Sequence, residues 1–256
     1  MRNIALHLMF DGTNYHGFQR QKNGITIQSQ LEDAVFAITG EHAPVIGCSR
    51  TDAGVHAENY VAMFDTTCRI PAPLFPKALN SALPNDIRCM NAWEAKEGFH
   101  PIFSAIEKTY IYTIVNRRVE DVFRRAYAWF YPRPLAVEDM RRAAACFLGE
   151  HDFSAFMAAC STAKTTVRHV KKLDIEETDG ILRISICADG FLYNMVRIIV
   201  GTLVCVGNGR FAIEDVSKIL ESGDRRRAGM TAPPQGLRLF EIVYPEMTIG
   251  PTSKEK

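Results

Sequence analysis

With 256 residues, of which 47% are hydrophobic and 23% charged, the chain has the composition of a globular protein that buries a sizeable core. Its seven cysteines form no Cys-x-x-Cys pair, which argues against a disulfide framework or a zinc site and favours a reducing, cytoplasmic location. The net charge is only +1, but residues 100–172 hold 12 basic and 7 acidic side chains. This basic middle segment is equally compatible with a solvated surface and with a phosphate-binding face.

The first hundred residues predict the order β-α-β-β-α-β. Residues 3–11 alternate in the manner of a strand, and nothing in them indicates a signal peptide. Thr26 is placed to cap the start of a helix that Gly40 ends. The remaining predicted elements of this half are strands near 43–48, 59–66 and 86–95 and a helix near 73–82.

The second half predicts a similar plan with additions. It begins with "KTYIYTIVN" at 108–116, whose period of two places Tyr110 and Tyr112 on one face of a strand. Further strands are predicted near 126–131, 165–176, 181–188 and 237–244, with helices near 136–148, 191–206 and 213–222. The apolar helix at 191–206 carries Arg197 at its centre and is too short to span a membrane.

We therefore expect an α+β protein made of two ferredoxin-like (RRM-like) halves. No Pro- or Gly-rich linker separates the halves, so their antiparallel or mixed sheets are expected to join into one central sheet. Helices are expected on one side of that sheet, and an active cleft between the halves. The predicted boundaries are 1–104 for the first half, 105–247 for the second and 248–256 for a tail.

Asp52, in "CSRTDAGVHA" at 48–57, is the carboxylate with two plausible roles. It either caps a tight turn or acts as a nucleophile of the kind that attacks sugars. Arg197 must reach solvent or pair with a buried anion, and pairing with Asp52 would lower the pKa of that carboxyl group. Tyr110 is either a packing residue or an aromatic platform for an extruded base.

Several longer motifs together resemble the tRNA pseudouridine synthase A (TruA) family. They include "YHGFQRQ", "SRTDAGVHA", "FHPIFSA", "KTYIY", "GEHDFSAF", "FLYNMVRIIVGTL" and "APPQGLRL", and the resemblance spans roughly residues 3–245. The resemblance implies isomerisation of uridine to pseudouridine in the anticodon stem-loop of tRNA, at one or more of tRNA positions 38, 39 and 40. It also implies a homodimer that uses no cofactor and no metal. A cytoplasmic location is expected from the cysteines, and no membrane partner is expected.

The resemblance assigns roles to particular residues. The catalytic aspartate falls on Asp52, its arginine partner on Arg197, the arginine that assists base flipping on Arg50, and the base-stacking tyrosine on Tyr110. Residues expected to bind tRNA are Phe99, His100, Phe103, Lys164 and Arg168.

The chain departs from the family at two of the positions expected to face tRNA. Ile102 stands where many members have arginine, and Lys164 occupies a position often held by arginine. Because isoleucine cannot neutralise a phosphate and lysine lacks the bidentate fork of arginine, we expect an altered grip on tRNA. The expected result is either a narrower range of anticodon-stem uridines or a restricted set of tRNAs.

Two other classes of protein compete with this reading. A non-catalytic ferredoxin-like RNA-binding protein would explain the basic middle segment, but the chain has no RNP1-like aromatic pattern. A nucleotide-dependent enzyme is disfavoured because "GTLVCVGNG" lies within and after a helix instead of between a strand and a helix. Catalytic turnover separates the enzyme from the RNA-binding protein.

Overall fold

The computed structural model describes residues 1–159, 163–245 and 247–249, and the chain divides into two compact units. Unit 1 comprises Met1–Ile106 together with the chain from Leu239 onward, and unit 2 comprises Glu107–Arg238. The sequence-based boundaries, by contrast, keep the final strand with the second half. Cys160 and most of the predicted tail lie outside the described residues.

Unit 1 has the predicted β-α-β-β-α-β order. Its N-terminal elements are β1 (Arg2–Phe10), α1 (Ile27–Thr39), β2 (Ile46–Gly47), β3 (His56–Thr66), α2 (Phe75–Ala82) and β4 (Ile87–Glu94). Strand β1 pairs antiparallel with β3 on one side and with β4 on the other. The strand predicted near 43–48 shrinks to the two residues of β2.

Helix α1 shows why these predictions succeed. The Thr26 side chain accepts a hydrogen bond from the Ser29 backbone at 3.2 Å, and the Ser29 hydroxyl oxygen accepts one from the Thr26 N–H at 3.2 Å. These two bonds satisfy donors that a helix start leaves unpaired. Gly40 ends the helix with a φ of 72°, a conformation that glycine adopts without steric cost.

Unit 2 is contiguous in sequence. Its elements are β5 (Glu107–Val115), β6 (Trp129–Phe130), α3 (Val137–Ala144), β7 (Gly149–Asp152), β8 (Val167–Thr178), β9 (Ile181–Ala188), α4 (Met195–Gly207) and α5 (Ile213–Ser222). Its strands lie in the order β5-β9-β8-β7, and β6 pairs parallel with β5. The chain ends with β10 (Leu237–Tyr244) and β11 (Met247–Ile249), and β10 lies next to β3.

Three predicted elements of unit 2 needed correction. The strand near 126–131 is only β6, because consecutive turns occupy the residues before it. The helix near 136–148 gives way after Ala144 to a short 3-10 turn. Helix α4 begins at Met195, four residues later than predicted, because Asn194 adopts a left-handed φ of 62°. Strand β7 has no clear alternation of polar and apolar residues and was not predicted.

The predicted α+β class with a large mixed sheet is confirmed. Strands β8 and β9 bury only alternate residues, so one face of each is packed and the other is more open. Helix α4 is the most hydrophobic helix of the described chain, and every residue in it is buried except Arg197. Among the described residues, no helix has the length and apolarity needed to cross a membrane.

Candidate functional site

Asp52 lies in the loop between β2 and β3 of unit 1, and Tyr60 on β3 anchors the start of that loop. The Tyr60 hydroxyl donates a hydrogen bond to the Ser49 carbonyl oxygen, and the Ser49 N–H lies 3.3 Å from the same hydroxyl. The buried Tyr60 ring also stacks on Phe18, with 4.7 Å between ring centroids. A rigid aromatic pair therefore fixes the chain just before the aspartate.

A second segment, residues 15–18, packs directly against the Asp52 loop. The Phe18 N–H donates to the Thr51 carbonyl oxygen at 3.1 Å, and the Gly54 N–H donates to the Tyr15 carbonyl oxygen at 3.2 Å. Gly17, between these contacts, has a φ of 84°, and a Cβ added there would lie 2.5 Å from the Thr51 carbonyl oxygen. Only glycine fits so close to the loop backbone.

Asp52 itself occupies the tight turn that the sequence predicts. The Val55 N–H closes the turn by donating to the Asp52 carbonyl oxygen at 3.1 Å, and Gly54 has a φ of 77°. The Asp52 residue is half-buried, whereas Arg50, two residues earlier, is exposed. The turn is thus closed by a backbone hydrogen bond, which presents a short carboxylate from a well-fixed position.

The buried side chains of His56 and Thr51, close to Asp52 in sequence, differ in whether they form a hydrogen bond. His56 is buried, and its Nδ1 accepts a hydrogen bond from the Gly12 N–H at 3.0 Å, so this histidine supports the end of the loop. Thr51 is also buried, yet among the described residues its Oγ1 has no hydrogen-bond partner. A buried hydroxyl without a partner costs stability, because it gives up hydrogen bonds to water.

Tyr110 lies on β5 of unit 2, where the period-two pattern placed it. It is buried, it pairs in register with Ile186 of β9, and the edge of its ring meets the Phe191 ring at 5.0 Å and 83°. This edge-on contact is the geometry that aromatic pairs prefer. The Tyr110 ring that packs against Phe191 is thus the same ring that is expected to stack on the base.

Arg197 is the one residue of α4 that is not fully buried. Its Nε donates to the Ala232 carbonyl oxygen at 2.7 Å, and its Nη1 donates to the Asn194 side chain at 2.8 Å. The Ala232 N–H in turn donates to the Arg197 carbonyl oxygen at 3.0 Å. Contacts from Asn194 and from the "APPQG" segment therefore orient the guanidinium group.

Tyr112, two residues along β5 from Tyr110, completes this cluster in unit 2. Its hydroxyl donates to the Pro233 carbonyl oxygen at 2.7 Å. Burial raises the pKa of Tyr112, and the positive charge of Arg197 opposes that rise. Strand β5, helix α4 and the "APPQG" segment thus meet around Arg197. Asp52 and Arg197 lie in different units, so their pairing stays a prediction.

The residues expected to bind tRNA in unit 1 share one short loop. Phe103 is 82% exposed, and the His100 ring lies 4.4 Å from its ring. The His100 Nδ1 accepts a hydrogen bond from the Ile102 N–H at 3.2 Å. Phe99 instead contacts the Tyr244 ring at 5.2 Å. Phe103 and Ile102 are thus exposed, whereas Phe99 is partly covered.

The remaining tRNA-binding expectations fall in unit 2. Lys164 is exposed, and Arg168 is half-buried, with its Nη1 donating to the Thr165 carbonyl oxygen at 3.0 Å. In the ranges that the structure describes, no group of three or more His, Cys, Asp or Glu side chains is arranged to hold a metal ion.

The sequence did not reveal the residues that brace the loop. Gly17 belongs to the "YHGFQRQ" motif and Asn194 to "FLYNMVR", but spacing alone does not place Gly17 against Thr51 or Asn194 beside the guanidinium group. Because glycine is the residue that tolerates a close backbone approach, Gly17 is the signal that could have indicated such a contact.

Comparison with known proteins gives a consistent result. A family model described as tRNA pseudouridine synthase matches residues 7–104 and 143–245. The chain is 49% identical over 244 residues to tRNA pseudouridine synthase A of Thermoanaerobacter sp. (strain X514), covering 95% of this chain and 100% of that protein. It is 50% identical, with the same coverage, to tRNA pseudouridine synthase A of Clostridium botulinum (strain Alaska E43 / Type E3).

Among solved structures, the chain is similar to a chain of the archaeal box H/ACA sRNP Nop10-Cbf5 complex. The TM-score is 0.39 at 10% sequence identity, and the match covers 91% of this chain and 59% of that chain.

Proposed function

The chain belongs to the tRNA pseudouridine synthase family, and we propose that it isomerises uridine in the anticodon stem-loop of tRNA with Asp52 as its catalytic carboxylate. The observation that carries the proposal is the loop around Asp52. Its sequence lies within the family match, and Tyr60 and Gly17 hold its backbone. A carboxylate that acts on a sugar carbon needs such a fixed position, because effective attack requires near-contact geometry.

The reaction needs few chemical groups. The C1′–N1 bond of uridine breaks, the base turns, and a C1′–C5 bond forms, while C5 loses a proton and N1 gains one. Nothing is oxidised or reduced overall, so the isomerisation needs no redox partner. An ionised Asp52 would either add to C1′ or remove a ribose proton to give a glycal, and both routes use the same carboxylate.

Arg197 would keep Asp52 ionised. An arginine close to a carboxylate lowers the pKa of that carboxylate by favouring its charged form. The contacts that Ala232 and Asn194 make with Arg197 fix the direction of the guanidinium group, as a partner for a single carboxylate requires.

Arg50 and Tyr110 would serve the extruded base. A uridine in a stem must leave the base stack before its C1′ is accessible, at a cost of a few kcal/mol. The ring of Tyr110 offers a surface on which the base stacks, and the exposed Arg50 offers a charge for the displaced backbone. Phe103, Lys164 and Arg168 are proposed as further tRNA contacts.

We further propose that the protein acts in the cytoplasm as a homodimer. The cytoplasmic proposal rests on the tRNA substrate of the family, and the dimer proposal on the resemblance to the TruA family. Light scattering coupled to gel filtration tests the dimer directly, because a molar mass of 28.7 kDa would identify a monomer.

The experiment that tests the function replaces Asp52 with asparagine, which keeps the shape and removes the charge. Pseudouridine is mapped by primer extension in full-length tRNA, and tRNA affinity is measured in parallel. Asp52→Asn should abolish pseudouridine formation and change affinity by no more than a few-fold, because the phosphate contacts that dominate affinity remain. The exposed Asp65 on β3 provides a matched control, and Asp65→Asn should retain activity.

Two results would contradict the proposal. Pseudouridine formation by Asp52→Asn at the wild-type rate would remove Asp52 from the chemistry. Binding of tRNA by the wild-type protein without any turnover would favour the non-catalytic RNA-binding alternative.

A further inference from the structure

The segment between β5 and β6, residues 116–127, exposes both apolar and basic side chains, and we call it the arginine loop. Val119 is 77% exposed and Phe123 is 89% exposed, more than any other phenylalanine among the described residues. Four arginines in the same twelve residues are also exposed: Arg117, Arg118, Arg124 and Arg125. The whole loop lies between the two ranges matched by the family model.

The arginine loop is folded, and Asp121 organises it. The Phe123 N–H donates to the Asp121 carboxylate at 3.0 Å, and the Arg124 N–H donates to the Asp121 carbonyl oxygen at 3.0 Å. The Arg124 side chain forms an ion pair with the Asp121 carboxylate, and the Tyr127 N–H donates to the Arg124 carbonyl oxygen at 2.8 Å. Successive turns therefore hold the Phe123 ring in solvent.

We propose that the arginine loop is a second RNA-binding surface, in which Phe123 stacks on a base of the tRNA and the arginines contact phosphates. An aromatic ring beside arginines is the arrangement by which proteins bind exposed bases without reading sequence. The proposal rests on tRNA being the substrate, which supplies both the bases and the negative charge.

In this proposal the arginine loop contacts a different nucleotide of the tRNA from the nucleotide that stacks on Tyr110. Val115, the last residue before the loop, lies five positions after Tyr110 on β5. At roughly 3.3 Å per residue this is about 17 Å, which is too far for a single nucleotide to touch both places. The loop thus adds contacts beyond the target uridine.

A second copy of the chain fits the arginine loop less well than RNA does. If the loop lay on the axis of a two-fold dimer, the four arginines of one copy would approach those of the other. Only Glu120 and Asp121 offset them within the loop, and Asp121 is already paired with Arg124. A polyanion has the complementary charge along its whole length.

The test measures binding of full-length tRNA to the intact protein at fixed salt. Phe123→Leu keeps the apolar character and removes the aromatic face, so affinity should fall at least about 5-fold, whereas Phe123→Tyr should stay within about 2-fold of wild type. The exposed Phe36 on α1 gives a matched control, and Phe36→Leu should bind as wild type. Replacing both Arg118 and Arg125 with alanine should reduce the slope of log affinity against log salt by roughly 1.5.

Two outcomes would overturn the inference. Phe123→Leu binding tRNA as tightly as wild type would show that the ring does not stack on RNA. A fall in molar mass that accompanies the fall in affinity would identify the arginine loop as a contact between copies. Pseudouridine formation is scored separately at saturating tRNA. If the wild-type protein binds tRNA but forms no pseudouridine, the proposed function fails, while the binding result still decides the role of the loop.

Discussion

Gly17→Ala tests whether the backbone around Asp52 must be held in place for catalysis. The new Cβ would lie 2.5 Å from the Thr51 carbonyl oxygen, whereas real Cβ contacts are essentially never shorter than 3.0 Å, so the loop must move by at least 3.0 − 2.5 = 0.5 Å. A misplacement of about 1 Å typically costs roughly 100-fold in rate, so a shift half as large should lower kcat roughly 10-fold.

Gly17→Ala should also lower the free energy of unfolding, and this effect can be separated from the displacement of the Asp52 loop. Alanine in a left-handed conformation costs about 1–2 kcal/mol, and weakening the hydrogen bond from Phe18 to Thr51 costs about 1 kcal/mol more. Gly40 isolates the first effect, because its φ is 72° and a Cβ there would meet nothing within 4 Å. Gly40→Ala should therefore lose about 1–2 kcal/mol of unfolding free energy and retain full kcat.

Steady-state pseudouridine formation at saturating tRNA gives kcat, and urea denaturation gives the unfolding free energy. The expected result is a loss of kcat confined to Gly17→Ala at a protein concentration where both variants are folded. Equal kcat for Gly17→Ala and Gly40→Ala would refute the claim that the 15–18 segment positions the catalytic loop.

Three further predictions concern single residues. Arg197→Met should abolish activity and destabilise the fold. Adding Asp52→Asn should recover part of the lost stability, because it removes the carboxylate that Arg197→Met leaves uncompensated. If the two substitutions destabilise the protein additively, the two side chains do not meet. Thr51→Val should raise the free energy of unfolding by about 1 kcal/mol, because a methyl group replaces a buried hydroxyl that has no hydrogen-bond partner in the described part of the chain. A lower free energy of unfolding in urea denaturation would contradict this prediction. Burial lowers the pKa of His7 below its ordinary value of 6.5, and the hydrogen bond to Asn59 opposes that shift. The unfolded state therefore binds more protons than the folded state. Because of this difference, the free energy of unfolding decreases as the pH drops from about 6.5 through the folded-state pKa. His7→Gln should flatten that dependence in denaturation measured between about pH 5 and pH 7, and an unchanged slope would show that His7 does not titrate in this window.

Local signals in the sequence predicted the elements whose causes are local. Thr26 and Gly40 determine the ends of α1 through capping and a left-handed residue, and both effects act within one turn. The period of two in "KTYIYTIVN" predicted β5 and the buried face that carries Tyr110. Asp52 on a tight turn was predicted for the same reason, because Gly54 lies two residues away.

Features that depend on distant partners were missed. Strand β7 exists because it pairs with β8, through contacts such as Gly149 with Val170, and four residues of mixed polarity carry no periodic signal. The late start of α4 depends on Asn194, whose side chain is a partner of Arg197. The family resemblance supplied roles for Asp52, Tyr110 and Arg197, but no spacing in the sequence joins the aspartate of one unit to the arginine of the other.

Because unit 1 takes its last strands from the end of the chain, the order of synthesis constrains its folding. Strand β3 gains its neighbour β10 only after the 132 residues from 107 to 238 have been translated, which takes on the order of 10 seconds at roughly 5–20 residues per second. During that interval the part of the β3 edge that β2 does not pair presents unpaired backbone groups, a template for aggregation. Unit 2 is contiguous and leaves the ribosome before β10, so it is free to fold before unit 1 is complete. A nonsense mutation between residues 107 and 238 would therefore leave unit 1 without β10 in every molecule made.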